Sequence, residues 1–276
     1  MKKLVLFSIF ALICLAAFGK PQISNISSPT QVGLYGLYEV SFNMSPSYSN
    51  PYDPAIIDAY ALFQGPDGQQ FKVNAFYFED YSFSNNTGYE VATPTGTSGW
   101  RIRFTPNLVG TWTFTIRAKD YQSNVIVVTS QRQFTCNNTN NSTGFISKAN
   151  NRYLKQTKVV NGQNKDALYF PVGPNISWYT CKDYGHYQKP YGIYEYYDYI
   201  DKLYGSGNYF RLFINRYPFL SLYGKEYTLD DVTYFDNTIN QKDSKELDLI
   251  IEYAKARDIS VMPCIFSHSD FVSWEF

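Results

Sequence analysis

The sequence predicts a multidomain β plus α/β chain: an immunoglobulin-like β-sandwich followed by an incomplete TIM-barrel segment of about three βα units. Three observations predict it. Short alternating strands recur from Gln22 to about Thr143. An amphipathic run, Tyr191 to Tyr204, is followed by a glycine turn and the short apolar stretch Tyr209–Ile214. The same order, helix then buried strand, returns over Asp243–Phe266.

Composition narrows the function classes first. The 276 residues carry 24 Lys plus Arg against 24 Asp plus Glu, a balance that excludes an electrostatic nucleic-acid partner. A hydrophobic content of 44% supports a sizeable core and excludes a disordered chain. Among 26 Tyr and 21 Phe, most rings are expected to fill cores, and some to line a cleft where flat sugar faces stack. Lys2-Lys3, the apolar run Leu4–Phe18 and the small-x-small site Ala17-Phe18-Gly19 read as an export signal over residues 1–19. That run is shorter than the roughly 20 residues a span needs, so the mature chain is expected to be secreted, from near Lys20, with no membrane partner. Seven sequons, at Asn25, Asn43, Asn85, Asn137, Asn140, Asn141 and Asn175, fit that route. Once Cys14 leaves with the signal, Cys136, Cys181 and Cys264 form neither a disulfide scaffold nor a zinc pattern, and free buried thiols are expected.

Each element has its own signal. Tyr38–Asn43, Ile57–Phe63, Phe71–Phe78, Trp100–Thr105, Thr111–Arg117, Val125–Val128 and Arg132–Cys136 alternate or run apolar as strands do. Turns at Gly65–Gly68, Asn85–Gly88 and Pro106–Gly110 punctuate them, giving a sandwich over residues 20–136. Trp112 alternates with Phe114 and Ile116, which makes it a core residue rather than a ligand platform. Residues 137–144 are polar and turn-rich, as a linker is. Residues 145–276 are expected to be the first part of a barrel. Phe145–Ser147 with Tyr153-Leu154 suggests a lead-in hairpin, and Asn161-Gly162 supplies its turn. Leu168–Trp178, Tyr209–Ile214 and Ser260–Phe266 then read as three parallel strands. Helices from about Tyr191 and from a capping-box start at Asp243–Glu246 join them. Asn215–Lys242 reads as a long loop. Pro263 is awkward inside a central strand.

The barrel stops early, since a complete one takes roughly 250 residues. Other chemistries lack their patterns. With only His186 and His268 there is no His-Glu-x-x-His helix for zinc, and there is no Gly-x-Ser-x-Gly elbow. Gly205-Ser206-Gly207 follows a helix and precedes a strand, the reverse of a dinucleotide loop. No metal or cofactor is expected.

Several stretches carry a family resemblance: Tyr38–Phe42, Asn50–Asp53, Phe76–Phe78, Trp100–Pro106, Gly110–Phe114 and Phe134–Cys136. They resemble the immunoglobulin-like domain of unknown function that precedes secreted glycosidase barrels. Phe170–Trp178, Asn208–Phe213 and Leu247–Phe266 look like the first three βα units of such a cellulase-like retaining barrel, some of whose relatives carry a collagenase label. The resemblance implies a polysaccharide or oligosaccharide partner and two glutamates about 5–5.5 Å apart. Those glutamates would end strands four and seven, beyond the C-terminus, so no catalytic residue is assigned and Glu275 is rejected. By the same resemblance Asn175, Trp178, Arg211 and His268 would contact substrate or orient the groups that do.

Two functions follow as expectations. One is a fragment of a secreted glycoside hydrolase, inactive as this chain. The other is a non-catalytic, secreted carbohydrate-binding or adhesion protein that uses the sandwich and an aromatic cleft.

Overall fold

Alternation in the first half of the chain produces two sheets with a shared apolar interior. The computed structural model describes residues 20–86, 89–138, 143–161, 163–176, 191–214, 220–222, 224, 226–229 and 232–265. The strands are β1 (Gln22–Ser27), β2 (Gln31–Gly33), β3 (Tyr38–Ser45), β4 (Ile57–Gln64), β5 (Gln70–Asn74), β6 (Phe76–Asn86), β7 (Tyr89–Phe104), β8 (Gly110–Asp120), β9 (Val125–Val128) and β10 (Arg132–Asn137). One sheet runs β1-β3-β7-β6; the other runs β2-β10-β8-β4-β5, with β9 on β8. Between them lies an aromatic core in which Tyr38 stacks on Phe134 at 3.7 Å and Phe63 on Phe104 at 4.3 Å between centroids. Such pairs contribute about 0.5–1.5 kcal/mol beyond their burial. Trp112 is fully buried here and its Nε1–H donates to Leu108 O at 2.9 Å. Free Cys136 is buried in the same core.

Beyond the linker come β11 (Thr143–Lys148), β12 (Leu154–Val160) and β13 (Gln163–Tyr169), an antiparallel three-strand sheet. Then follow β14 (Asn175–Ile176), α1 (Ile193–Leu203), β15 (Tyr209–Phe213), a hairpin of β16 (Glu226–Leu229) and β17 (Val232–Phe235), α2 (Gln241–Lys255) and β18 (Ser260–Cys264). Strands β14, β15 and β18 pair in parallel, with β15 in the middle. Phe210, Leu212 and Ile214 are buried with Ile200 of α1 and Ile250 of α2, as the helical spacing of those residues requires. Gly205, at φ 82, ends α1 in the left-handed conformation that favours glycine, and Gly207 N–H closes the turn onto Leu203 O.

The expected barrel segment is corrected here. Strand dominates the chain, with eighteen strands against two helices among the described residues. The parallel part is an open three-strand sheet, β14-β15-β18, not a portion of an α/β barrel. The stretch expected as the first barrel strand is divided. Leu168 and Tyr169 pair antiparallel with Lys155 and Leu154, and only Asn175 and Ile176 reach β15. The turn at Asn161, with Val160 opposite Gln163, sends the chain back along β12 and uses up those residues. Leu168, Phe170 and Val172 are consequently exposed rather than buried. Pro263 sits in β18, which is paired on one side only among the described residues, where a missing N–H is tolerated.

Two further boundaries differ. The loop expected over Asn215–Lys242 contains the β16–β17 hairpin. Helix α2 begins at Gln241, because the Asn240 side chain accepts from Asp243 N–H at 3.2 Å; Asp243 and Glu246 are interior and buried, not a capping box. Cys264 is free and only partly buried.

The outer face of the β1-β3-β7-β6 sheet is covered by α2. Arg103 on β7 makes a two-pronged contact with Asp248, at 2.7 and 2.8 Å, while its Nε donates to Glu39 at 2.8 Å. Lys245 pairs with Asp80 at 3.0 Å, and Gln241 Oε1 accepts from Glu79 N–H at 2.9 Å. These contacts, the two-pronged Arg103–Asp248 pair above all, fix the helix against the sheet.

Candidate functional site

Two of the four residues expected to bind substrate come together. Asn175 and Arg211 are register partners on neighbouring strands β14 and β15. Trp178 and His268 lie outside the described residues. Arg211 Nη2 is 3.4 Å from Cys264 Sγ, its guanidinium carbon is 5.2 Å from the Phe213 ring centre, and its buried Nε has no hydrogen-bond partner among the described residues. Tyr209 on the same strand face points its hydroxyl at Met262 Sδ, 3.4 Å away. This face carries a cation, aromatic rings and sulfur. Among the described residues no carboxylate pairs with Arg211.

A second place collects rings and polar groups. Where the end of the sandwich meets the start of α2, two adjoining cavities of about 140 and 250 Å³ share Tyr52, Phe76, Tyr77 and Ile239 as walls. Tyr52 meets Tyr77 edge-on at 5.8 Å, and Phe76 is 37% exposed, its other side under the Arg103 guanidinium at 5.2 Å. Asn74 and Asp58 edge one end, Glu79 and Gln241 the other. Burial, and then the nearby Glu79 carboxylate, hold the Tyr52 phenol well above its ordinary pKa, so it is a neutral donor. In Arg103, burial works to lower the pKa, but the hydrogen bonds it donates to Asp248 and Glu39 outweigh it and the net shift is upward. The arginine is a fixed cation already neutralised by its partners, and the cleft is left apolar with polar edges.

The third cluster is buried. Long strands β6 and β7 extend past the sandwich as an arm, and the Glu90 side chain near its tip is 2% exposed. Glu90 Oε2 accepts from Ile193 N–H at 2.9 Å and thereby caps α1, whose own cap residue, Gly192, supplies no side chain. From α2, Glu246 (1% exposed) faces Glu90, and Lys242 Nζ contacts Glu246 Oε1, Asp243 Oδ1 at 2.9 Å and Glu90 Oε1 at 3.5 Å. Burial first, and then a hydrogen bond to Glu90, push the Glu246 carboxyl up to about 9. The sequence reading missed this cluster, since nothing in the spacing of Glu90 and Glu246 marks them as neighbours.

Comparison with known proteins bears mainly on the sandwich. Residues 31–119 match the model of a family described as a domain of unknown function, DUF5060. No curated protein matches the chain. Among solved structures, the chain is similar to the CARDB domain of the PF1109 protein in complex with di-metal ions, from Pyrococcus furiosus. The identity is 15% over 42% of this chain and 94% of that one, with a TM-score of 0.24, too low to carry an argument about fold or ligand. Among the described residues no group of three or more His, Cys, Asp or Glu is arranged to hold a metal ion. The resemblance to a cellulase-like barrel and the glycoside hydrolase it implied are therefore overturned. The family match is confined to the sandwich, and the chain after it is not a barrel. Neither the fold nor the family match supports secretion or glycosylation.

Proposed function

We propose that the chain is a non-catalytic carbohydrate-binding or adhesion protein that takes a polysaccharide or oligosaccharide into the cleft between the sandwich and α2. One observation carries the reading: the exposed Phe76 ring and the Tyr52–Tyr77 pair share one cleft with Asn74, Glu79 and Gln241 at its edges. Sugars present flat C–H faces ringed by hydroxyls. A ring beneath and polar groups around the rim are the chemistry that recognises them. The reading places the protein outside the cell, on the strength of Lys2-Lys3 and the apolar run Leu4–Phe18.

The test is a glycan array on the full chain, followed by calorimetry on any hit. Binding without turnover is expected, and Tyr52→Ala and Phe76→Ala should each weaken it about tenfold, or ~1.4 kcal/mol. Absence of binding across plant, algal and microbial glycans overturns the proposal, and so does release of reducing ends.

A further inference from the structure

The contacts between the arm and the helices run through groups that an interface built only for strength would not use. The side chains of Glu90 and Glu246 are both almost fully buried at the β7–α2 junction, and the Lys242 ammonium contacts both. Glu246 Oε2 is buried and has no hydrogen-bond partner among the described residues, which leaves that oxygen able to carry a proton. Backbone packs against the pair: a Cβ on Gly192 would lie 1.9 Å from Glu90 Oε2.

We propose that Glu90, Glu246 and Lys242 form a proton-controlled latch between the sandwich arm and the two helices, closed while the two glutamates share one proton and loosened when it leaves. In the closed state Glu246 donates its proton to Glu90, and Glu90 accepts from Ile193 N–H. Lys242 faces Glu90, Glu246 and Asp243. Loss of the proton to solvent leaves three carboxylates against one ammonium at a site with little water, a state relieved by withdrawing Glu90 from α1.

The other charged or titratable groups near the pair are Asp243, Tyr194, Tyr197 and Lys245. Asp243 is held by Lys242 and by Ser221 N–H at 2.7 Å. On α1, burial and then Glu90 raise the phenol pKa of Tyr194. Burial first, with Tyr194, Tyr253, Glu252 and Glu90 adding, does the same for Tyr197. Neighbouring Lys245 is paired with Asp80. The sign follows. The closed latch holds its proton above the ordinary carboxylate range and the open one does not. Closure is therefore full in acid and weakens as pH rises from about 4.5 towards 9.

Amide hydrogen exchange on the full chain between pH 5 and 9.5, corrected for intrinsic rates, tests this. Protection of Ile193 and the first turn of α1 should fall about tenfold per pH unit while one proton is released, with the amides of β8 as an unchanging reference. Glu246→Gln keeps an N–H to offer Glu90 but has no proton to lose, so it should give a flat profile. Glu90→Gln, which still accepts from Ile193 but leaves Glu246 buried, should make the profile shallower without flattening it. A flat wild-type profile overturns the latch, and so does a slope that survives in Glu246→Gln or is unchanged in Glu90→Gln.

Discussion

Gly192 shows how much one residue decides. Its φ of 56 puts it in the left-handed region, and a side chain there would strike the Glu90 carboxylate that caps α1. Gly192→Ala should cost at least ~1 kcal/mol from the backbone alone, and more from the displaced glutamate. The loss would appear as reduced exchange protection across α1. Trp112 is the contrasting case, legible from alternation with Phe114 and Ile116 and buried as expected. Trp112→Ala should destabilise the sandwich by about 3–5 kcal/mol in urea unfolding, since it removes the ring and leaves a cavity. Arg211 was also legible as an oddity, an arginine in an apolar strand. What it meets was not legible: Cys264 comes from β18 and Asn175 from β14, both distant in sequence.

Elements were legible where their own sequence carries the period. Strands β3, β4 and β8 and helix α1 follow from spacing, because burying one face requires that spacing. Helix α2 was displaced at its start because two caps compete locally. Asp243 resembles a cap, but the Asn240 side chain reaches forward to accept from its N–H. Asn240→Ala should therefore cost about 1 kcal/mol, measured by thermal melting, whereas Asp243 acts through Ser221 and Lys242. Docking of α2 has a separate test. Arg103→Lys keeps the charge but loses the fork that grips Asp248, and should cost about 1.5 kcal/mol. A double-mutant cycle with Asp248→Asn would assign that loss to this pair.

Across the whole molecule one helix joins the proposed cleft to the proposed latch. Helix α2 supplies Gln241 to the aromatic cleft and Glu246 to the latch, so opening the latch should disturb the cleft. Glycan affinity is expected to be higher at pH 6 than at pH 9 in calorimetry, and Glu246→Gln should remove the difference. Saturation with a bound glycan at a hundred times its dissociation constant should stabilise the chain by about 2.7 kcal/mol, read from the melting shift.

By itself the sequence determined the sandwich, the helices and the three short stretches able to pair in parallel, because alternation, helical spacing and glycine stops act within a few residues. It also suggested a barrel that the chain does not form. Only the tertiary structure decided that Leu168 and Tyr169 turn back onto β12, that α2 covers the outer sheet face, and that Glu90 and Glu246 meet. Those outcomes depend on which partner is hydrogen-bonded and which face is buried across more than a hundred residues, and no local period records that.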